Sequence, residues 1–193
     1  VRCDHTSEED VRRLFGQIER NHGRLDILVN NAWGGYENMV ENGVYTYDNP
    51  FWEQPLWRWD AMFTSGVRCA YLASQYGAPL MIRQGAGLIV NISYWAAKTY
   101  LNNVAYGAAK AATDCLSRDM AQELRRHGVA VVSLYPGLVR TESVMAAAQF
   151  FNLANSESPQ FIGRVVGALA ADPHLMSRSG QALTAAAVAR ELL

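Results

Sequence analysis

Short, unbroken apolar runs alternate along this chain with longer stretches in which apolar residues recur every three or four positions. The runs are Leu25–Val29, Gly87–Ser93, Val129–Leu134 and a weaker one at Gln181–Ala185. They are too short for helices, are bounded by Gly, Asn or Pro, and lack the alternation of a half-exposed strand, so they predict strands buried on both faces. The helical patterns cover Trp57–Arg83, Val104–His127 and Gln160–Ala171, with an earlier one at Val11, Leu14, Phe15 and Ile18. Thr6-Ser7-Glu8-Glu9 reads as a capping box that starts this first helix, and Gly23 as its stop. Strands separated by helices predict an α/β domain with a doubly wound parallel sheet. Val1–Asp4 is also strand-like. The one irregular stretch, Gly34–Pro55, is long for a connection between a strand and a helix. Aromatic residues crowd it and the helix start beyond it: Tyr36, Tyr45, Tyr47, Phe51, Trp52, Trp57 and Trp59.

Ligands of such sheets bind outside the carboxyl ends of the strands. Three of the four strands end there in polar or turn-forming residues: Asn30-Asn31, Asn91 with Ser93, and Pro136-Gly137. This places a site at that end of the sheet before any motif is considered.

Composition narrows the picture. The 193 residues are 50% hydrophobic and 18% charged, with 17 basic and 18 acidic side chains. One domain with a sizeable core fits, and a disordered or disulfide-stapled chain does not. A net charge of −1 excludes the basic stripe of a general nucleic-acid or membrane-surface binder. Cys3, Cys69 and Cys115 form no CxxC pair and imply a reducing compartment, hence a cytoplasmic setting. The four histidines are scattered, so no metal-ligand spacing exists, and no apolar run reaches membrane-spanning length. Because the chain opens at Val1 inside a strand-like run, it reads as a fragment, and a targeting segment is not legible.

The candidate chemistry lies in Tyr106-Gly107-Ala108-Ala109-Lys110. At i and i+4 on a helix, the phenol and the ammonium share one face. A neighbouring cation favours the phenolate, which moves a tyrosine from its ordinary pKa near ~10 toward a usable acid/base. Ser93, thirteen residues upstream, ends a strand and can address the same oxygen. The rival reading is an amphipathic surface pair.

Taken together, Val-Arg-Cys-Asp (1–4), Leu-Val-Asn-Asn-Ala (28–32), Val-Asn-Ile-Ser (90–93), Tyr-Gly-Ala-Ala-Lys (106–110) and Pro-Gly-Leu-Val-Arg-Thr (136–141) resemble the short-chain dehydrogenase/reductase family in order and interval. The resemblance covers essentially the whole chain. It implies a Rossmann-type fold and an oxidoreductase that uses NAD or NADP to interconvert a carbonyl and an alcohol. Tyr106 would be the acid/base, and Lys110 would bind the nicotinamide ribose and lower the Tyr106 pKa. Ser93 would orient the substrate oxygen. Asp4 would meet the adenine amine, Asn30 would help position the central strand and the adenosine ribose, and Ala32 would also contact the cofactor. Pro136, Gly137, Val139 and Thr141 would hold the carboxamide. A small-molecule substrate is implied, apolar and fairly bulky if the aromatic loop at 34–55 covers it. So is a homodimer or homotetramer formed through the helices at 57–83 and 104–127, whose small residues include Ala70, Ala73, Ala108, Ala109 and Ala112.

Four departures from the family pattern stand out. The glycine-rich turn that seats a pyrophosphate is absent, as are the two βα units expected before Val1, so the strand at 25–30 should lie at an open edge. Gly66 stands where many members carry Asn. Trp33 follows Asn30-Asn31-Ala32 where Gly is usual, which should reshape the cleft floor. Strand register also allows Tyr94 the usual serine position, although the interval to Tyr106 selects Ser93. Bland roles compete as well: Asp4 and Thr141 as helix caps, Asn30 and Asn31 as turn residues. The alternative function is a non-catalytic chain that binds a dinucleotide or a partner, with the fragment inactive alone. The residue that would sort NAD from NADP is not in the sequence.

Overall fold

In a computed structural model, which describes residues 1–146, 148–150 and 152–193, four parallel strands form the central sheet. They are β1 (Ile27–Asn30), β4 (Gly87–Ile92), β5 (Val129–Tyr135) and β6 (Ala182–Thr184), in the order β1-β4-β5-β6. The apolar runs are buried on both faces because successive side chains point to opposite sides. Leu88, Val90, Val132 and Leu134 pack under α6 (Pro159–Ala171) and α8 (Ala185–Leu192). Ile89, Val129 and Val131 face the other way, toward α3 (Cys69–Gln84) and α4 (Val104–Leu124). The sheet is therefore wound on both sides, as the pattern of runs predicts. β1 is an edge strand, with Ile27 and Val29 38% and 42% exposed.

Element boundaries follow local chemistry. The first helix, α1 (Glu8–His22), starts one residue later than the capping box implies: Ser7 is the N-cap, and its hydroxyl accepts from the Asp10 amide. Thr6 is drawn off by Asp4, whose carboxylate accepts from both the amide and the hydroxyl of Thr6. Gly23, left-handed at φ 66°, ends the helix as expected. Val1–Asp4 is not a strand: it has no ladder partner among the described residues, and a lone extended segment gains no sheet hydrogen bonds. The helical stretch after Pro55 is interrupted. α2 (Leu56–Ala61) runs into a π-helical segment, Met62–Arg68, before α3 resumes.

The segment 34–55 is more ordered than its composition suggests. A hairpin of β2 (Val40–Glu41) and β3 (Val44–Tyr45) is followed by a 3-10 turn at Phe51–Glu53. Arg58, buried on α2, reaches into this loop and donates to the carbonyls of Asn38 and Thr46, to the Thr46 hydroxyl and to Gln54. Gln54 in turn donates to the carbonyls of Thr46, Tyr47 and Asn49. The remaining α-helices are α5 (Glu142–Ala146) and α7 (Leu175–Arg178). No helix among the described residues is long and apolar enough to cross a membrane.

Candidate active site

The parallel register sets Asn30 opposite Asn91 and Asn91 opposite Ser133, level with one another near the carboxyl end of the sheet. Their side chains do not point out to a ligand; they bind the sheet to its helices. The Asn30 amide donates to the Ala70 carbonyl (3.3 Å), the Ser74 hydroxyl (3.0 Å) and Asn91 Oδ1 (2.7 Å). Asn91 donates to Ser117 Oγ on α4 at 2.9 Å, and Ser133 donates to the same oxygen at 2.8 Å. Every member of this row, buried at Asn91, Ser117 and Ser133 and half-buried at Asn30, has a partner, the condition under which buried polar groups order a structure rather than weaken it. Its effect is to fix the rotation of α4 against the sheet, and so the direction in which Tyr106 and Lys110 project.

At the other end of that helix, Asn103 caps the backbone: its Oδ1 accepts from the Tyr106 amide at 3.0 Å, and its Nδ2 donates to the Tyr47 carbonyl at 2.9 Å. One side chain thus joins the start of α4 to the aromatic loop. Tyr106 and Lys110 are both buried, and the ammonium lies 5.7 Å from the Tyr106 ring centre. Trp33 completes the group. Its ring is 3.8 Å from Lys110 Nζ and meets Tyr106 edge-on at 5.5 Å between centroids. The indole fits because residue 66 is glycine: a methyl group there would fall 2.5 and 2.7 Å from two ring carbons of Trp33. Trp33 therefore takes up the space beside Gly66.

The electrostatics differ from the simple expectation that the ammonium pulls the phenol down. Burial holds Tyr106 above the usual tyrosine range, and the lowering influence comes from a hydrogen bond with Tyr36. Lys110 is itself brought down to about 8 by burial, opposed by the charge of Asp114. The cause is direction: Nζ donates to the Ile92 carbonyl at 3.1 Å and lies against the indole. Tyr36 and Tyr47 are also held above their ordinary range, chiefly by burial of their hydroxyls.

The other expected residues divide clearly. Ser93 lies beneath the pair, 1% exposed, but its hydroxyl donates to the Lys110 carbonyl at 3.3 Å. Tyr94 sets its ring 6.2 Å from that of Tyr106. Asp4 is exposed, its carboxylate taken up by Thr6, and it does not cap α1, whose N-cap is Ser7. Thr141 caps α5, its Oγ1 accepting from the Val144 amide at 3.3 Å. Pro136, Gly137 and Val139 follow β5 out of the sheet, where Glu157 occupies the Gly137 amide at 2.8 Å and pairs with Val139. Ala32 is exposed just beyond β1. Ala70, Ala73 and Ala109 are buried within this chain, packed in its own core.

Motif reading did not single out Trp33 as a partner of Lys110, nor Asp114 and Tyr135. Asp114 accepts from the Tyr135 hydroxyl while its second oxygen is buried without a partner. The signal for Asp114 was present, since it lies one more i+4 step along α4 from Lys110.

A sequence model described as short chain dehydrogenase matches residues 1–150. The chain belongs to the short-chain dehydrogenase family. It is 42% identical to dehydrogenase/reductase SDR family member 1 of Homo sapiens over 98% of this chain and 64% of that protein. It thus spans just under two thirds of the relative's length. Among solved structures it is similar to ElxO with NADP bound (TM-score 0.78, 22% identity, 95% of this chain and 75% of that one). It is also similar to 7α-hydroxysteroid dehydrogenase complexed with NADH and 7-oxo glycochenodeoxycholic acid (TM-score 0.70, 26% identity, 95% and 71%).

This family uses nicotinamide dinucleotides, and the residues present suit one half of such a molecule. The buried Lys110 ammonium makes one hydrogen bond to protein, leaving donors for ribose hydroxyls, and the Trp33 indole N–H is buried without an acceptor. For the pyrophosphate half, the chain contains no glycine-rich turn between a strand and a helix.

Proposed function

We propose that this chain is the catalytic part of an NAD(P)-dependent oxidoreductase that interconverts a carbonyl and an alcohol on an apolar substrate, with Tyr106 as acid/base. The observation that carries this reading is the grouping of buried Tyr106 and Lys110 with half-buried Trp33 at the carboxyl end of a doubly wound sheet. Lys110 would hold the nicotinamide ribose, with the backbone from Pro136 to Val139 nearby. The bound dinucleotide would supply or accept a hydride. Tyr106 would give its proton to the oxygen as the carbonyl is reduced and take one back in the reverse direction. A low-dielectric setting strengthens each of these interactions.

Substrate class follows from the loop at 34–55, which we take as the substrate-side wall. Phe51 and Trp52 are strongly exposed on it, and ring contacts run from Tyr45 through Tyr47 and Tyr36 to Tyr106. Flat apolar surfaces of this kind favour aromatic, steroid-like or long-chain partners. We further propose a homodimer or homotetramer through the outer faces of α3 and α4, where Tyr71 and Val104 are exposed. Three separate free thiols fit a reducing cytoplasm.

The deciding experiment is Tyr106→Phe in the full-length protein. Turnover of an apolar ketone should fall at least ~10³-fold while reduced cofactor still binds within about twofold, since only the proton donor is lost. Retained turnover would overturn the mechanism. A wild-type protein that binds cofactor but turns over no ketone would instead mark a non-catalytic binding protein.

A further inference from the structure

Two hydroxyls are needed to hold a carbonyl oxygen firmly in such a site, because that oxygen has two lone pairs and gains negative charge as hydride arrives. Tyr106 is one. Ser93 is poorly placed to be the other: it is 1% exposed and its hydroxyl is committed to the Lys110 carbonyl, a bond inside the core of the domain. Turning it toward a substrate would give up that contact and move a hydroxyl packed between β4 and α4.

Tyr36 has the opposite character. Its ring lies 6.0 Å from that of Tyr106 and 5.9 Å from that of Tyr47. The residue as a whole is 43% exposed, so it reaches from the open side of the site to the buried phenol. The chain backbone enforces this placement. Gly35, at φ 99°, turns the segment sharply after Trp33, and any side chain there would collide with Met62.

We propose that Tyr36 supplies the second hydroxyl of the carbonyl-binding pair, so that the substrate oxygen sits between the phenols of Tyr106 and Tyr36. This rests on the carbonyl–alcohol reading given above. In the reducing direction a bound reduced nicotinamide would supply the hydride to the carbonyl carbon, and the π pair would move onto oxygen. The Tyr106 O–H bond then breaks to protonate that oxygen. Tyr36 keeps its proton throughout. It donates a hydrogen bond first to the substrate oxygen and then to the Tyr106 phenolate, which regains a proton from solvent before the next cycle.

The test compares Tyr36→Phe, Ser93→Ala and Tyr94→Phe in the full-length protein, with an aryl alkyl ketone as probe and thermal melts confirming that each variant folds. Tyr36→Phe should lower kcat about 10²-fold, the usual loss for one oxyanion donor, while the KM for reduced cofactor stays within about twofold. It should also move the pH–rate limb that reports Tyr106 upward, because the phenolate loses its donor. A larger loss in Tyr36→Phe than in either other variant supports the assignment; an equal or smaller one overturns it. An active wild type with an unimpaired Tyr36→Phe variant sinks this assignment alone. A wild type inert toward every ketone sinks the oxidoreductase reading and this assignment with it.

Discussion

Arg58 and Lys110 are both buried cations, and neither forms an ion pair among the described residues. They sit in adjoining regions and are used differently. In the loop region, both terminal nitrogens of Arg58 are engaged on neutral oxygens, and the guanidinium lies 5.0 Å from the Trp57 ring and 5.8 Å from that of Tyr47. At the sheet end, Lys110 has one oxygen partner and an aromatic face. Arg58 keeps only its Nε–H without a partner and acts as a structural brace, whereas Lys110 makes a single hydrogen bond and has donors left for a ligand. The contrast separates a region held by one polar hub from a region held by apolar burial, with the site at their junction.

The largest test of this contrast is Arg58→Met. Methionine fills much of the space but leaves the Asn38 carbonyl, the Thr46 hydroxyl and Gln54 Oε1 without the arginine donor, while the Thr46 carbonyl keeps those of Gln54 and the Asn49 amide. Each stranded buried acceptor costs about 1–3 kcal/mol. The loop should open locally at roughly 3 kcal/mol less than in wild type, so hydrogen exchange at the amides of Thr46 and Asn49, both hydrogen-bonded within the loop, should speed up ~10²-fold. Amides of Val131 and Val132 in β5 should keep their protection. Equal acceleration in the sheet would show that the two regions are one cooperative unit.

The same division explains what the sequence discloses. Strands and helices of the sheet region are legible because their signal is local: runs of Val, Ile and Leu of strand length, periodic apolar faces, and a glycine after His22. The position of the Tyr106–Lys110 pair is equally legible, since i and i+4 on a helix share a face whatever surrounds them. The loop is not legible. Its order comes from one arginine reaching back across twelve and twenty residues to Thr46 and Asn38, a relation with no periodicity. Ser93 shows a further limit. Spacing sets where its backbone lies, but the hydroxyl rotates toward whichever acceptor is nearest, and here that is the Lys110 carbonyl. Likewise Thr6 has the residue type of a cap, yet Asp4 competes for it and Ser7 takes the role.

Gly66 and Trp33 form the joint between the regions, one on the π-helical segment and the other at the loop entrance. Gly66→Ala would drive a methyl group into the indole, an overpacking that typically costs about 1–3 kcal/mol. Trp33→Leu removes the obstacle, so the double variant should recover at least half of the penalty of Gly66→Ala. A double-mutant cycle on thermal or denaturant unfolding measures this coupling. Additive effects would mean that the indole is free to move aside and does not define the cleft.

The smallest effect, and the one that bears most directly on the two cations, concerns pH. Burial lowers Lys110 from an ordinary 10.5 to about 8, so between those values the unfolded chain binds a proton that the folded chain has released. Stability contributed by this group must then rise with pH across that window; below about pH 8 both states are protonated and the full burial penalty stands. Tyr36, Tyr47, Tyr106 and Tyr135 act in the opposite sense at higher pH, since burial raises them and the unfolded chain loses those protons first. The measurement is therefore a difference: wild type against Lys110→Met, by chemical denaturation from pH 8 to 9.5, where the tyrosine contributions largely cancel. Wild type should gain about 1–2 kcal/mol relative to the variant over that interval. A constant difference would mean that the ammonium keeps its ordinary affinity for a proton. Burial would then not weigh on Lys110 as the contrast with Arg58 requires.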